Sequence, residues 1–508
     1  MTTYYVDADA DGDAGAGTSQ DTNVAWKTIA KVNATTFSAG DSILFKCGGL
    51  WRERLVPKGS GSVGNNITFS SYGTGDKPKI YASDLLTGWE VHSGNIWKAP
   101  HTGAVAPVWF VSGSTITYGD PKTAIVDCVN EFDWYYTANE VYVYAASDPD
   151  TLYDRIEGGY RTSGARNYDT NYITLDGFEV VFSAQNGVEI ANTGYSGWIV
   201  QNCDIHHVGV IGASTANGIY SRVSDSLYAN NTIYQAGSRC IYIVGGAASS
   251  SQLNFTVRDN ELYDCGILAI ETTTYNSGAV LSNIKIYRNI IYATAACPGT
   301  PSMIGIQFSA SGGGICSNTV VAHNVLHSLY GIAVNVMANV ADSKIVNNTI
   351  FTASASVDGI SVSATAVRVH FMNNIVLEIG RYNINFAGVS AVSKSDFNIS
   401  YHSTEATGVL ARVVSTSYVK ADFATYKSAT GLDAHSVWDD PDFTDVASLD
   451  FTLLSSSPAI GLGAFVNDVY DQVDCTDFNG IAPNSMFPYA GAFDYAPTVR
   501  PTLIGIEV

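Results

Sequence analysis

The chain has 508 residues, 46% of them apolar and 14% charged, so it can bury a large core and is no disordered or collagen-like polymer. A formal net charge of −21 argues against the basic face that a phosphate backbone or an anionic membrane would need, so neither nucleic acid nor membrane is expected as a partner. No run of about 18 apolar residues is present, which excludes a spanning helix.

In chain order, the first feature is DADADGDAG, residues 7–15. Asp7, Asp9, Asp11 and Gly12 fit the first half of an EF-hand-type calcium loop, but the twelfth place holds Thr18 where a bidentate glutamate is required. An acidic, glycine-rich turn is the simpler account; calcium bound there would be structural, and no cofactor is required. VAWKTIAKVN comes next, with Trp26, Ile29, Ala30 and Asn33 at helical spacing, predicting a short amphipathic helix over the first coil. GDSILFKCGG, ERLVPKG, NNITFSSYG and KPKIYAS then read as the first strands, so residues 1–95 form an N-terminal cap and first coils. Residues 96–170, including NEFDWYYTANEVYVYAASDP, are rich in strand formers but out of register with the coils on either side, and read as an excursion.

From residue 171 to 400 one phrase recurs: a polar turn carrying Asn, then short apolar strands, as in LYANNTIYQAGSRCIYIVG at 227–245. Aligning the copies puts Phe178, Cys203, Asn231, Asn260, Asn289, Asn324, Asn348 and Asn374 in one register, spaced 25, 28, 29, 29, 35, 24 and 26 residues apart. Within each unit the runs Ile-Tyr-Ile, Ile-Ser-Val and Ile-Asn-Phe alternate with a period of two, which marks strands. Units of this length with two or three strands stack as coils of a parallel β-helix. The repeated Asn is expected at a sharp turn, where it tolerates a left-handed backbone and its amide can bond the neighbouring coil. Past Asp396 the repeat decays into a Ser/Asp-rich region, so 401–508 are expected to supply C-terminal coils and a cap.

The eight cysteines, at 47, 128, 203, 240, 265, 297, 316 and 475, include no C-x-x-C pair, which argues against zinc. Free buried thiols are the plain reading, and Cys240 with Cys265 is the first pair to check for a disulfide.

Three passages, YYVDADADGDAGAGTSQDTNVAWKTIAKVN with AGDSILFKCGGLWRERL, the NN-x-I…G-I-x-I coils, and DFTLLSSSPAIGLG…YAGAFDY, resemble the right-handed parallel β-helix superfamily of pectate lyases, polygalacturonases and phage tailspike depolymerases. The resemblance implies an all-β, single-stranded right-handed parallel β-helix with a helical N-terminal cap and a C-terminal cap. It also implies activity on a polysaccharide. Catalytic patterns do not carry over: where polygalacturonases have paired aspartates before a Cys-Ile strand, this chain has Ser238-Arg239 before Cys240-Ile241, and no Gly-His-Gly comes after it.

In such proteins the cleft runs along one strand face, here the G-I-x-I element, whose residue between the two apolar positions points outward. That row reads Glu189, Tyr220, Tyr242, Glu271, Gln307, Ala333, Ser361 and Asn385, with Arg222, Thr273, Ser309 and Asn335 one outward place further on. Loops leading into it add His206, His207, Arg239 and Asp264. Aromatic rings stack on sugars while acidic and basic groups move protons. Hydrolysis needs two carboxylates about 5–9 Å apart. Glu189 and Glu271, three coils apart, start about 14 Å apart at the usual strand spacing, so Glu271 with Asp264 is the better pair. β-Elimination would use His207, Tyr242 or Arg239 as base, with Arg222 and Arg239 neutralising the uronate. Against these stand plainer roles: a packed Tyr220–Tyr242 ladder, an Arg222–Glu189 ion pair, and solvated His206 and His207.

The expected function is therefore extracellular cleavage of a polysaccharide, with a hydrolase slightly ahead of a lyase because basic residues are scarce. A non-catalytic glycan-binding adhesin or phage tail component is the rival. The protein is expected to be secreted or virion-associated, as monomer or homotrimer, although MTTYYVDADADG is not a signal peptide.

Overall fold

Alternation of period two becomes strand after strand in the computed structural model, which describes residues 1–295, 297, 302–352, 357–404, 406–464, 466 and 490–492. Cys475 and much of the expected C-terminal cap lie outside these. The chain divides into two units, Met1–Val223 with Asn231–Tyr242, and Ser224–Asn230 with Ile243–Val508.

Each unit is built of coils whose strands fall in turn on three parallel sheets, termed A, B and C. In the first unit the coil Ile173–Asp176 (A), Glu179–Val181 (B), Asn186–Ile190 (C) stacks on the next, Ile199–Gln201, Asp204–Val208 and Asn217–Ser221, in parallel register on every face. In the second unit the same cycle runs through coils such as Val280–Tyr287, Ile290–Tyr292 and Ile304–Ala310. The inward residues of sheet C, among them Val188, Ile190, Ile219, Ile306, Phe308, Ile360, Ile384 and Phe386, are buried. Each such side chain contributes about 1.5–3 kcal/mol by leaving water.

The recurring Asn does what its register suggested. In the second unit the backbone N–H groups of Asn260, Asn289, Asn324, Asn348 and Asn374 each donate to the side-chain oxygen of the next rung, at 2.9–3.1 Å, and the ladder runs one rung further than the repeat, to Asn398. In the first unit Cys203 N–H donates to Asn231 Oδ1. The left-handed backbone, however, belongs to the preceding residue: Asn230, Asp259, Arg288, His323, Asn347, Asn373 and Phe397 all have φ between 53 and 60°. A ladder Asn must aim its amide along the stack, so the residue before it makes the turn.

The early helix is shorter than its spacing predicted. Asp13 accepts from the N–H groups of Lys27 and Thr28 and from the Thr28 hydroxyl, holding Thr28 extended, so the helix begins at Ile29 and ends at Ala34. Trp26 lies outside it, bridged to Val6. Thr28 and the Glu53 carboxylate accept from its first free N–H groups.

Between Tyr81 and Ser163 two largely antiparallel sheets leave the coil path, one of four strands around Val108–Ser112 and Arg155–Gly159, one of five around Asp133–Thr137 and Glu140–Tyr144. They share a core of Trp89, Phe110, Trp134, Val141 and Ile156. Cys240 and Cys265 are each disulfide-bonded, while among the described residues Cys47, Cys128, Cys203, Cys297 and Cys316 are free thiols, four of them buried. No helix among the described residues is long and apolar enough to cross a membrane.

Candidate functional site

A ligand as large as a glycan needs an uncovered face. In the first unit the antiparallel insertion lies on the outside of sheet B, where Trp109 and Val111 pack on Tyr81, Val181 and Phe182. In the second unit Phe443, Phe451 and Leu453 cover Leu377 and Ile399 of the same sheet. On sheet A, Val466 packs with Tyr287, Val320 and Met372. Among the described residues none of these covering clusters includes a residue of the sheet C outer row, which leaves that row as the candidate cleft.

In the first unit this row is Arg166, Glu189 and Tyr220 on neighbouring strands, in register, with Tyr242 on the strand Arg239–Val244. Glu189 pairs with Arg166 at 3.5 Å, not with Arg222 as the sequence suggested. Arg222 instead lies over the Tyr220 ring, 5.5 Å from its centroid, and its Nε is buried without a hydrogen-bond partner among the described residues. The rings of Tyr220 and Tyr242 are 5.6 Å apart, tilted by 54°. Arg239 is a strand residue rather than a loop residue; it covers Tyr242 at 4.1 Å and donates to Ser238 Oγ and Ser214 O. Two aromatic rings with cations on them, beside one carboxylate, make a surface that can stack on sugars and carry charge.

In the second unit Glu271, Gln307, Asn335, Ser361, Asn385 and Arg412 are in register. Asn335 therefore takes the place expected for Ala333, which is fully buried and lies before the strand Val334–Val336; Asn335 is 11 residues past Asn324, the same offset as Tyr242 from Asn231 and Glu271 from Asn260. Asn335 donates to Gln307 Oε1 at 2.8 Å and Gln307 donates to Glu271 Oε1 at 3.3 Å, an amide chain ending on a carboxylate that is only 3% exposed. Charged groups continue beside the row past Ser361. Asp358 accepts from Arg381 Nε and Nη2 at 2.5 and 2.8 Å and from Asn385 at 2.8 Å, and Arg381 and Arg412 both lie over Tyr382, 5.3 and 5.2 Å from its centroid. Asp358 and Arg381 were missed because they flank the outward place instead of filling it; the Arg-Tyr-Asn-Ile-Asn run was the available signal.

The loop residues go elsewhere. Asp264 accepts from Thr294 N–H and Oγ1, both at 2.6 Å, so its two oxygens are engaged by that turn. His206 and His207 are strand residues and buried, with their Nδ1 atoms 2.8 Å apart; His207 stacks on Tyr118 of the insertion and His206 on Tyr234. Solvation is excluded for them because the insertion, unreadable from the repeat, roofs that face. Glu179, 3.7 Å from His206, is a further carboxylate there: burial alone would raise its pKa, but His206 and Lys79 together hold it below the usual value. Asp7 pairs with Lys46 at 2.8 Å and accepts from Asp9 N–H, so an ammonium sits where calcium was considered. Among the described residues no three His, Cys, Asp or Glu side chains are grouped to hold a metal ion.

Buried histidines make stability depend on pH. Burial pushes His327, stacked on Tyr292, down to about 4, and burial with His206 beside it holds His207 well below the ordinary value of 6.5. Both folded values lie below the unfolded one, so their neutral forms are fully accommodated above about pH 6.5 and stability is lost as pH falls from there. His327 alone is expected to cost about 2 kcal/mol at pH 5 relative to pH 7, because the unfolded chain takes up the proton first. Urea midpoints at the two pH values, for the wild type and His327→Gln, check this; the variant is expected to lose that part of the pH dependence.

Comparison with known proteins agrees with the coil geometry. A family model described as "Right handed beta helix region" matches residues 186–404. Solved structures superpose over most of the chain: XylC with xylose (TM-score 0.54, 16% identity, 81% of this chain and 86% of that one), a glycoside hydrolase (0.55, 10%, 90% and 99%) and pectate lyase Pel9A (0.53, 12%, 98% and 97%). The chain therefore has the right-handed parallel β-helix fold that the sequence resemblance implied. A lacto-N-biosidase of Bifidobacterium longum subsp. longum is 29% identical over 147 residues, 26% of this chain but 9% of the biosidase, so the match spans under a tenth of that relative's length.

Proposed function

We propose that this protein cleaves a polysaccharide, which it binds along the outer row of sheet C. The observation that carries the reading is that, within each unit taken by itself, none of the described covering clusters includes this row, which holds Glu189, Tyr220, Arg222 and Tyr242 in the first unit and, separately, Glu271, Gln307 and Asn335 in the second. The local likeness to a lacto-N-biosidase supports a glycan substrate, and hydrolysis is the reaction we favour. In the second unit Glu271 is assigned to proton transfer and Gln307 to sugar contact; in the first unit's row Tyr220 and Tyr242 are assigned to sugar contacts beside Glu189, which is paired with Arg166. Extracellular action fits a polymer too large to be taken up intact.

β-Elimination is the second reading, favoured by Arg239 over Tyr242, where a guanidinium would both neutralise a uronate and ease loss of the phenolic proton. One digest separates the two. The protein is incubated with alginate, pectin, glycosaminoglycans, xylan and other glycans, tracking reducing ends and the ultraviolet absorbance of unsaturated uronates. Reducing ends alone are expected. Rising absorbance with them would replace hydrolysis by elimination, and silence on every polymer would sink the cleavage reading in favour of a glycan-binding role.

A further inference from the structure

A chain of net charge −21 offers its cations many carboxylates, yet Arg54 makes no ion pair among the described residues. Arg52, Glu53 and Arg54 are consecutive, with a bend at Glu53. Arg52 donates to the buried Glu157 at 2.5 Å, and the Glu53 carboxylate is taken by the N–H groups of Ile29 and Ala30. Arg54 is left with a single hydrogen bond from its guanidinium, to Thr162 Oγ1 at 3.0 Å, and makes no ion pair among the described residues. Its backbone is nevertheless clamped, since Asn33 donates to Arg54 O and accepts from Val56 N–H. Leu55 bridges to Ala165, which sets Arg54 beside the strand Ser163–Arg166 at the edge of the sheet C row.

Its charged neighbours are mostly of its own sign. Arg166, on the outer row, has Glu189 at 3.5 Å and a buried Nε with no hydrogen-bond partner among the described residues. Arg161 is held by Asp84 and Ser83 O at 2.8 and 2.9 Å. Burial, then the charge of Arg166, push the Arg54 pKa down, and Glu189 only partly offsets this. Arg54 has no carboxylate of its own, and Arg166 and Arg161 each have one carboxylate partner and donors left over, so the three half-buried guanidiniums can take a further oxyanion.

We propose that Arg54, Arg161 and Arg166 form a subsite for an anionic substituent on a sugar, a carboxylate or a sulfate ester. The rest of the protein is strongly acidic and repels a polymer charged at every unit, so the fitting glycan is one with isolated anionic units among neutral ones. This deepens the polysaccharide reading and rests on it for its setting, but its test reads binding alone.

The test is calorimetric titration of the wild type, Arg54→Gln and Arg54→Lys with glucuronate, N-acetylglucosamine 6-sulfate and glucose. At least one of the two anions is expected to bind about 10-fold or more tightly than glucose, weakening as NaCl rises from about 20 to about 200 mM. The two anions distinguish carboxylate from sulfate. Arg54→Gln should lose the preference, Arg54→Lys should keep part of it, and the melting temperature of Arg54→Gln should hold or rise because a repulsion is removed. A wild type that prefers neither anion over glucose overturns the proposal whether or not a variant folds. So does an Arg54→Gln protein that binds as the wild type does, or one whose only change is a lower melting temperature. A protein that prefers the anion yet digests no polymer keeps the subsite and loses the cleavage reading; cleavage without the preference does the reverse.

Discussion

Replacing Glu271 by glutamine is expected to lower kcat at least about 100-fold on whichever polymer the digest identifies, with KM little changed. Glutamine matches glutamate in shape and keeps an oxygen for Gln307 Nε2 to donate to, so the chain from Asn335 through Gln307 stays in place and only the transferable proton and the charge are lost. The control is Asp264→Asn. Asp264 spends both oxygens on Thr294, so that variant should keep its kcat and lose about 1–2 kcal/mol of stability instead. Circular dichroism melts beside steady-state kinetics separate the two effects. If Asp264→Asn abolishes turnover while Glu271→Gln does not, the assignment of the carboxylates is reversed.

The largest loss of stability is expected from the ladder. Asn348 is fully buried; its Oδ1 accepts from both the N–H and the side-chain amide of Asn324 at 3.0 Å, and its own amide donates to Val321 O at 2.9 Å and Asn374 Oδ1 at 3.0 Å. Asn348→Ala leaves the Asn324 N–H and the Val321 carbonyl short of partners in a place water does not reach, and leaves a gap where the amide was. At roughly 1–3 kcal/mol per orphaned group the variant should lose about 3–5 kcal/mol, read as a fall in the urea midpoint at unchanged slope. Asn347→Gly, one residue earlier, is expected to cost less than Asn348→Ala, because glycine takes its φ of 56° without strain, although the bond its Oδ1 accepts from Asn373 Nδ2 at 3.3 Å is lost. A variant at 348 as stable as the wild type would mean that the ladder does not hold the coils.

These neighbouring positions show how far the chain is legible residue by residue. The repeat exposed Asn348 because stacking repeats its environment in every coil, so the same side chain solves the same problem each time. Which of two adjacent asparagines turns the backbone and which bonds the next coil is a matter of φ, which a one-dimensional pattern does not carry. The outward row was legible for the same reason as the ladder, and it slipped only at Ala333, where Gly331-Ile332-Ala333 imitates the start of the repeated phrase two residues ahead of the strand Val334–Val336 that carries Asn335. Glu189, Tyr220, Tyr242, Glu271 and Gln307 were found in this way, whereas Arg54 and Arg166 were not, because no repeat reaches them.

The sequence alone determined the parallel coil architecture, the asparagine ladder and most of the outward row, since each depends on short-range periodicity that every coil restates. The tertiary structure decided what happens where periodicity stops. The insertion between Tyr81 and Ser163 folds over sheet B and buries His206 and His207, Lys46 takes the place beside Asp7, Thr294 claims Asp264, and Glu53 turns to a helix N-terminus and leaves Arg54 unpaired. Pairing and burial of a charged side chain depend on groups brought close by folding from up to about a hundred residues away, and no local pattern encodes that distance.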